Sequence, residues 1–241
     1  MPDPLLTLEG VHTHIGRYHI LQGVDFEVPR GSFTVLLGRN GAGKTTTLRT
    51  IMGLWKASQG NIRFAGQDMT ARPTPEIAAA GIAYIPENMS VFSGLTVREN
   101  LLLAARAGKI DATRLEWIFS LFPAMQRFFG SAAGTLSGGQ KQMLAIARAL
   151  IEPRDLILVD EPTKGLAPAI VANMIKAFRE VKNAGATVLL VEQNFMAAKM
   201  LGDAVAVMDD GRIVHRGAMA ELAADHALQH RLLGLHMDAH Q

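Results

Sequence analysis

The residues from Gly38 to Thr45 have the types and spacing needed to bind a phosphate chain. They fit the pattern G-x-x-x-x-G-K-[ST], and in order they are Gly38, Arg39, Asn40, Gly41, Ala42, Gly43, Lys44 and Thr45. Glycines in this pattern let backbone N–H groups turn inward around an anion, and the positive end of the following helix points at the same place. Lys44 would reach the β- and γ-phosphates, and the Thr45 hydroxyl would bind Mg²⁺. The segment is therefore predicted to be a phosphate-binding loop.

Two adjacent acids, Asp160 and Glu161, follow the apolar run Leu156-Ile157-Leu158-Val159. Such a run is typical of a parallel strand that is buried on both faces, so the acids would stand at the carboxyl end of the strand. There the first acid can order Mg²⁺ and the second can polarise an attacking water. The pair predicts a hydrolytic site next to the phosphate loop.

A second possible anion contact is the segment Leu136-Ser137-Gly138-Gly139-Gln140. Apolar residues at helical spacing follow it, which places Ser137 as the N-cap of an amphipathic helix. A serine and two glycines at a helix start can offer several free N–H donors to an anion. The alternative is a plain helix cap without a ligand.

Tyr18 is the only aromatic side chain in the polar stretch from His14 to His19. This stretch lies between two strand-like segments and could provide a platform for a nucleotide base, because bases stack on aromatic rings. The alternative is a tyrosine at a strand edge.

Two histidine pairs near the end of the chain have i, i+4 spacing, namely His226/His230 and His236/His240. Such pairs can hold a metal ion when a third ligand is available. No third ligand fits a known geometry, so a solvated terminal helix is the preferred interpretation.

Hydrophobic spacing indicates which elements position these residues. Strands are predicted at 5–11, 20–28, 33–37, 62–64, 82–85, 156–159, 187–191, 204–208 and 212–215. The first two are expected to be antiparallel and to flank the nucleotide core. Helices are predicted after the phosphate loop, at 76–80, at 169–181 and as one helix at 219–233. Residues 96–150 contain mainly helical patterns and are predicted to form an inserted subdomain.

Length and composition exclude several other classes of protein. A chain of 241 residues can bury a substantial core, and the absence of cysteine rules out disulfides and thiolate metal sites. A net charge of +2 gives no broad basic field, so nucleic acid is not expected as a partner. The N-terminus has no secretory signal pattern and no apolar run reaches about 20 residues, which predicts a cytoplasmic protein.

Taken together, Gly38 to Thr45, Leu136 to Gln140 and Leu156 to Glu161 occur in the order and spacing of the ATP-binding cassette (ABC) ATPases. The resemblance covers essentially the whole chain, and the L-S-G-G-Q element is its most specific part. It implies an α/β fold: a P-loop NTPase core of ABC type with an N-terminal antiparallel β-subdomain and an inserted helical subdomain. The expected boundaries are 1–87 and 151–241 for the core and 88–150 for the helical part.

The resemblance also implies roles for individual residues, with ATP and Mg²⁺ as ligands. Lys44, Thr45 and Thr46 would bind phosphate or magnesium, Asp160 would belong to the metal site, and Glu161 would be the general base. In this family two cassettes pair head to tail. The second anion contact would therefore serve the nucleotide of the partner cassette, through Ser137, Gly138, Gly139 and Gln140.

Several positions depart from the common family pattern. Glu87 replaces a glutamine that contacts magnesium and the membrane partner, which changes the charge near the cation. Gln193 replaces a histidine that contacts the γ-phosphate; an amide can donate a hydrogen bond there but cannot carry a proton. Ile15 stands at the usual base-stacking aromatic position, which leaves Tyr18 as its substitute. Ala167 stands where an aspartate is common.

These departures resemble one branch of the family, the shorter of the two ATPase subunits of branched-chain amino-acid importers. Proline-glutamate after the strand at 82–85, G-L-A-P at 165–168 and V-E-Q-N at 191–194 are similar to that branch. Asn88-Met89-Ser90 departs from it, and importers of urea, amides and other small organic solutes share much of the pattern.

That resemblance implies a set of partners and a location. They are a second ABC ATPase subunit in a homo- or heterodimer, two membrane permeases and, indirectly, a solute-binding protein, with the chain on the inner face of the cell membrane. Two alternatives stay open at this stage. One is a cassette that works on ribosomes or nucleic acid, and the other is a weakly hydrolysing regulatory cassette.

Overall fold

Six strands form the sheet that carries the phosphate loop. The computed structural model describes residues 4–106 and 108–234. The strand order is β10-β9-β3-β8-β7-β6. The bounds are β3 (Phe33–Gly38), β6 (Ile82–Ile85), β7 (Leu156–Asp160), β8 (Thr187–Val191), β9 (Ala204–Asp209) and β10 (Arg212–Ala218). Five neighbouring strands are parallel, and β10 pairs with β9 in antiparallel orientation. The carboxyl ends of the parallel strands therefore meet at one edge.

A second sheet is formed entirely by antiparallel strands, in the order β2-β1-β4-β5. The strands are β1 (Pro4–Ile15), β2 (Tyr18–Pro29), β4 (Ala57–Phe64) and β5 (Gln67–Asp68). Leu6, Leu8 and Phe26 are fully or almost fully buried, and polar residues alternate with them along the strands. This period-2 pattern packs one face of the small sheet on the core. The predicted N-terminal antiparallel β-subdomain is confirmed.

Ten α-helices and one short 3₁₀ segment complete the part of the chain that the structure describes. They are α1 (Lys44–Ile51), α2 (Thr74–Ala79), α3 (Val97–Ala104), α4 (Ala112–Leu121), α5 (Pro123–Arg127), the 3₁₀ segment (Ala133–Thr135), α6 (Gly138–Leu150), α7 (Pro168–Asn183), α8 (Phe195–Leu201), α9 (Met219–Ala224) and α10 (His226–Leu233). From 88 to 150 the regular elements are all helical. Within the described residues, no helix is both long enough and apolar enough to cross a bilayer.

The parallel sheet separates two hydrophobic cores. On one face Phe33 and Leu190 pack with the helices, and the ring of Phe33 meets Phe178 of α7 edge-on at 6.3 Å between centroids. On the other face Leu36 and Leu158 belong to the core shared with α1 and the antiparallel sheet. The strands β3, β7 and β8 are consequently buried on both faces. This burial explains their continuous apolar runs.

The prediction of one terminal helix at 219–233 is wrong. Asp225 lies between α9 and α10 with φ −99° and ψ 92°, which are not helical values. Its carboxylate accepts a hydrogen bond from the Leu228 backbone N–H at 2.8 Å, so it acts as N-cap of α10. An aspartate in a helix-like pattern can therefore begin a new helix where the apolar spacing alone indicates continuity.

Candidate functional site

The predicted phosphate loop joins the buried strand β3 to α1. Its glycines adopt positive φ values of 151° at Gly38, 83° at Gly41 and 108° at Gly43. At Gly38 a Cβ would overlap the carbonyl oxygen of Met208 on β9, so the close approach of that strand requires glycine. No side chain caps the N-terminus of α1, whose N-cap is Gly43. The first N–H groups of α1 are thus available to an anion.

Lys44 is buried at the start of α1, with 4% of its surface exposed. Its ammonium donates hydrogen bonds to the carbonyl oxygens of Gly38 at 2.8 Å and Arg39 at 3.1 Å, and lies 3.8 Å from Glu161 Oε1. Burial lowers the pKa of Lys44, and the nearby carboxylates of Glu161 and Asp160 oppose this shift. The loop itself therefore positions this cation.

A cavity of about 330 Å³ opens next to Lys44, within the size range of small-molecule sites. Its lining is Ile20, Asn40, Gly41, Gly43, Lys44, Thr45, Thr46, Glu87, Glu161 and Lys164. Most of the predicted loop thus faces one cavity together with Ile20 from an earlier strand and with residues from two later segments. Ala42 is buried instead, and its carbonyl accepts a hydrogen bond from Gly211 N at 2.9 Å.

Asp160 ends β7 as a fully buried carboxylate that receives two hydroxyl donors. Thr45 Oγ1 donates to Oδ1 at 3.1 Å, and Tyr84 Oη donates to Oδ2 at 3.2 Å. Burial raises the pKa of Asp160, although both hydroxyls favour its ionised form. Burial also raises the pKa of Tyr84 to about 12, with Asp160 adding to the shift, so the phenol stays protonated and can donate.

The Thr45–Asp160 pair fits a magnesium ion by its chemistry, because Mg²⁺ prefers oxygen ligands. Between residues 4 and 234, leaving out 107, no group of three or more His, Asp and Glu is arranged to hold a metal. A Mg²⁺ site that is shared with substrate phosphates needs only a few protein ligands. Such sites use one or two carboxylates and take the other ligands from phosphate and water.

We expect Asp160→Asn to stabilise the metal-free chain at neutral pH. The pKa of Asp160 is raised above its ordinary 3.8, so the ionised carboxylate costs more in the folded than in the unfolded chain. The raised pKa contributes folding stability that is fully present below pH 3.8 and is lost as the pH rises through the raised pKa. Thermal unfolding in EDTA should show Tm higher by about 2–4 °C at pH 7, roughly 1 kcal/mol for this size of chain.

The gain should shrink as the pH falls through the raised pKa of Asp160, because the wild-type carboxyl then takes up a proton. Asp209→Asn removes an exposed carboxylate on β9 and serves as the matched control, with no gain expected. An Asp160→Asn chain that melts no higher than wild type at pH 7 would contradict the assignment of a desolvation cost to this carboxyl.

Glu161 directly follows Asp160 and turns away from the strand. Its φ of 47° lies in the left-handed region, which is uncommon for a residue with a side chain. Gln193, in the loop after β8, donates from Nε2 to Glu161 Oε1 at 2.5 Å. The structure therefore places Glu161 and Gln193 in contact, and Gln193 can orient the carboxylate of Glu161.

Glu192 holds the loops that carry these two residues, and sequence reasoning did not identify this role. Its carboxylate is almost fully buried and accepts the backbone N–H groups of Thr163 at 3.2 Å and of Gln193 and Asn194 at 3.1 Å. Burial raises the pKa of Glu192 while these donors oppose the shift. A polar residue directly after a predicted buried strand was the available signal.

Glu87 follows β6 and lies at the rim of the cavity, where its Oε1 accepts from Lys164 Nζ at 2.7 Å. The same ammonium lies 3.3 Å from Glu161 Oε2. Hydrogen bonding to Glu87 and the charge of Glu161 raise the pKa of Lys164. The sequence analysis identified both acids but did not single out Lys164.

Ser137 caps α6 as predicted, and Ser137 and Gln140 form a reciprocal capping box. Ser137 N donates to Gln140 Oε1 at 2.9 Å. Gly139 faces α7 so closely that a Cβ would lie 2.9 Å from Ile170 Cγ2. Among the described residues, the segment 137–140 does not line the cavity beside Lys44. The two predicted anion-binding helix ends are therefore separate within one chain.

Tyr18 lies at the β1–β2 hairpin with 61% of its surface exposed. Ile20 of the same strand lines the cavity, whereas Tyr18 is not among the described residues that do. A role in base stacking stays a prediction. His226 and His230 lie on α10, where the described chain has no three-ligand metal cluster, and His236 and His240 lie outside the described residues.

Comparisons with known proteins agree on one family. The family model described as ABC transporter matches residues 21–164. The high-affinity branched-chain amino acid transport ATP-binding protein BraG of Pseudomonas aeruginosa is 38% identical over 232 residues, which are 95% of this chain and 100% of that protein. The probable branched-chain amino acid transport ATP-binding protein LivF of Archaeoglobus fulgidus is 35% identical and covers 90% of this chain and 93% of its own length.

A solved structure of the ADP conformation of an ATP-binding cassette from an ABC transporter has a similar fold. Its TM-score is 0.80 at 26% identity, and the match covers 97% of this chain and 100% of that one. The similarity thus includes both sheets and the helical segment between them.

Proposed function

Because this chain belongs to the ABC transporter family, as an ATP-binding ATPase coupled to transport, we propose that it powers an importer of branched-chain or other hydrophobic amino acids. One observation carries the chemistry. Lys44, Thr45 and Glu161 line a single cavity, and the Thr45 hydroxyl there donates a hydrogen bond to the fully buried Asp160. The solute class rests on the similarity to BraG and LivF along nearly their whole length.

The phosphate chain of ATP is bound by α1 and Lys44 in this proposal. The open N–H groups of the first turn and the helix dipole favour an anion at the N-terminus of α1. Lys44 exchanges its loop carbonyls for phosphate oxygens. Thr45 and Asp160 would hold Mg²⁺, with Glu87 as a candidate third oxygen, and the ion would supply positive charge next to the phosphates.

Glu161 takes the proton of the attacking water, as the general base. Gln193 keeps the carboxylate in place through its 2.5 Å hydrogen bond, and Glu192 fixes the loops of both residues. Tyr84 donates to Asp160 and holds that carboxylate against Thr45. The Gln193 amide cannot take up a proton from water, so the proton transfer depends on Glu161.

The Ser137 end of α6 acts on the nucleotide of a second cassette in this proposal. Its support is that residues 137–140 cap a long helix but, in the described chain, do not reach the cavity beside Lys44. Two chains related head to tail, identical or different, would bring each Ser137 to the other Lys44 loop. Gly138 is exposed and has no side chain that would cover the first turn of α6, which leaves room there for an anion.

The remaining partners follow from the family. We propose that two membrane permeases dock on this chain and that it lies on the inner face of the membrane, with a solute-binding protein delivering the solute.

Residues 88–150, which contain α3 to α6, form the helical subdomain, and 1–87 with 151–241 form the core. Closure on ATP drives transport, and hydrolysis resets it.

Uptake by the assembled transporter tests this function. The chain is purified with co-encoded permeases and its binding protein, reconstituted in liposomes with ATP inside, and assayed for uptake of leucine, isoleucine and valine. We expect uptake of these amino acids together with stimulated ATP hydrolysis. Uptake of urea or short amides instead would replace the solute class, and ATPase activity absent both alone and in complex would favour a regulatory cassette.

A further inference from the structure

Lys164 connects two carboxylates that belong to different segments of the site. Its ammonium lies 2.7 Å from Glu87 Oε1 in the loop after β6 and 3.3 Å from Glu161 Oε2 after β7. The side chain begins in the turn that follows Glu161, where Lys164 N donates to Glu161 O at 3.2 Å. One ammonium therefore contacts two carboxylates whose positions are 74 residues apart (161 − 87).

The charges of the cavity explain why this contact matters. Three carboxylates, of Glu87, Asp160 and Glu161, act on one another and on Lys44. Lys44 donates to two loop carbonyls and lies 3.8 Å from Glu161 Oε1. Lys164 contacts the other Glu161 oxygen and Glu87 directly. It is the closer of the two lysine ammoniums to the carboxylate of Glu161, and it carries the positive charge next to Glu87.

The same contact is easily opened. The side chain of Lys164 is 54% exposed and that of Glu87 is 44% exposed. Ion pairs between side chains as exposed as these contribute little net stability, and the aliphatic part of a lysine side chain is flexible. A competing cation can therefore displace it without unfolding the loops.

We propose that Lys164 is an internal counter-cation that opposes binding of the divalent cation at the Thr45–Asp160 site, because it occupies Glu87 and places a positive charge beside Glu161, and that it thereby sets how much Mg²⁺ the site requires. This inference rests on the proposed function, because it assumes a divalent ion between the phosphates and these acids. Lys164 acts through the two carboxylates and is a positioning residue.

The test measures divalent-cation affinity directly, without turnover. Each chain is first stripped of metal with EDTA, and the EDTA is then removed by gel filtration. The metal-free chain is loaded with a non-hydrolysable ATP analogue, freed of unbound analogue and titrated with Mn²⁺, and free Mn²⁺ is followed by EPR. Lys164→Met should bind Mn²⁺ about 3–10-fold more tightly than wild type, the scale for removing one charge from a partly solvated site. Lys164→Arg keeps the charge and should stay within about two-fold of wild type.

Two further variants control the interpretation. Lys176→Met removes an exposed lysine of α7 and should leave Mn²⁺ affinity unchanged. In a Glu87→Gln background, Lys164→Met should raise the affinity less than it does in wild type, because one of its two partners is already neutral.

The outcomes separate the inference from the proposed function. The inference alone would be overturned if the wild-type chain binds the analogue but Lys164→Met binds Mn²⁺ no more tightly than wild type. Wild-type chain that binds no analogue would overturn both. Because Lys164 is more than half exposed, its substitution is not expected to unfold the chain.

Discussion

Replacing Glu161 by glutamine is expected to lower kcat for ATP hydrolysis by ~10²–10⁴ while ATP affinity stays within about two-fold, the effect of removing a positioned general base. The amide keeps the size of the side chain and can still accept the hydrogen bond of Gln193 through its oxygen. It cannot take a proton from water. Single-turnover kinetics for the chemical step and equilibrium binding of labelled ATP would measure the two effects separately.

The matched control is Glu180→Gln on the exposed face of α7, which should leave both kcat and binding unchanged. Equal loss of binding and turnover in Glu161→Gln would indicate a role in substrate binding. Normal turnover would show that another group takes the proton, and the assignment of the base would then be wrong.

Replacing Lys44 by alanine should weaken ATP binding by about 10–150-fold, which corresponds to ~1.5–3 kcal/mol for charged hydrogen bonds. The substitution removes the buried ammonium that the carbonyls of Gly38 and Arg39 hold beside the cavity. Binding of a fluorescent ATP analogue measures the change. The loss should be much smaller for AMP, because Lys44 is assigned to the β- and γ-phosphates.

Lys56→Ala removes an exposed lysine next to β4 and provides the comparison. If Lys44→Ala lowers affinity for AMP and ATP by the same factor, the cause would be general damage to the loop. Unchanged affinity for ATP would remove Lys44 from the phosphate site.

Local patterns in the sequence were sufficient to predict most elements that carry the site. The alternation in β1 and β2, the apolar runs of β3, β7 and β8, and the cap at Ser137 each follow from short-range physics. The phosphate loop and the Asp160–Glu161 pair were also predicted, since each lies directly after a buried strand. Their contact through Thr45 follows from two parallel strands ending at the same edge.

Contacts between distant side chains could not be predicted in the same way. The ion pair of Lys164 with Glu87, the Tyr84 hydroxyl on Asp160 and the Glu192 carboxylate under Thr163 depend on which loops meet after the sheet forms. Spacing along the chain contains no information on rotamers or on exposure of a long flexible lysine. The break at Asp225 was missed because apolar periodicity continues across it.

The strand order of the parallel sheet also determines how short a fragment of this chain can be and still bind nucleotide. Both strands that pair with β3, namely β8 and β9, lie after residue 164, beyond the region 21–164 that the family model matches. A fragment cut at 164 would leave the strand under the phosphate loop without a neighbour on either side. Nucleotide binding thus requires the chain at least through Asp209, and during synthesis it can arise only after β9 has emerged.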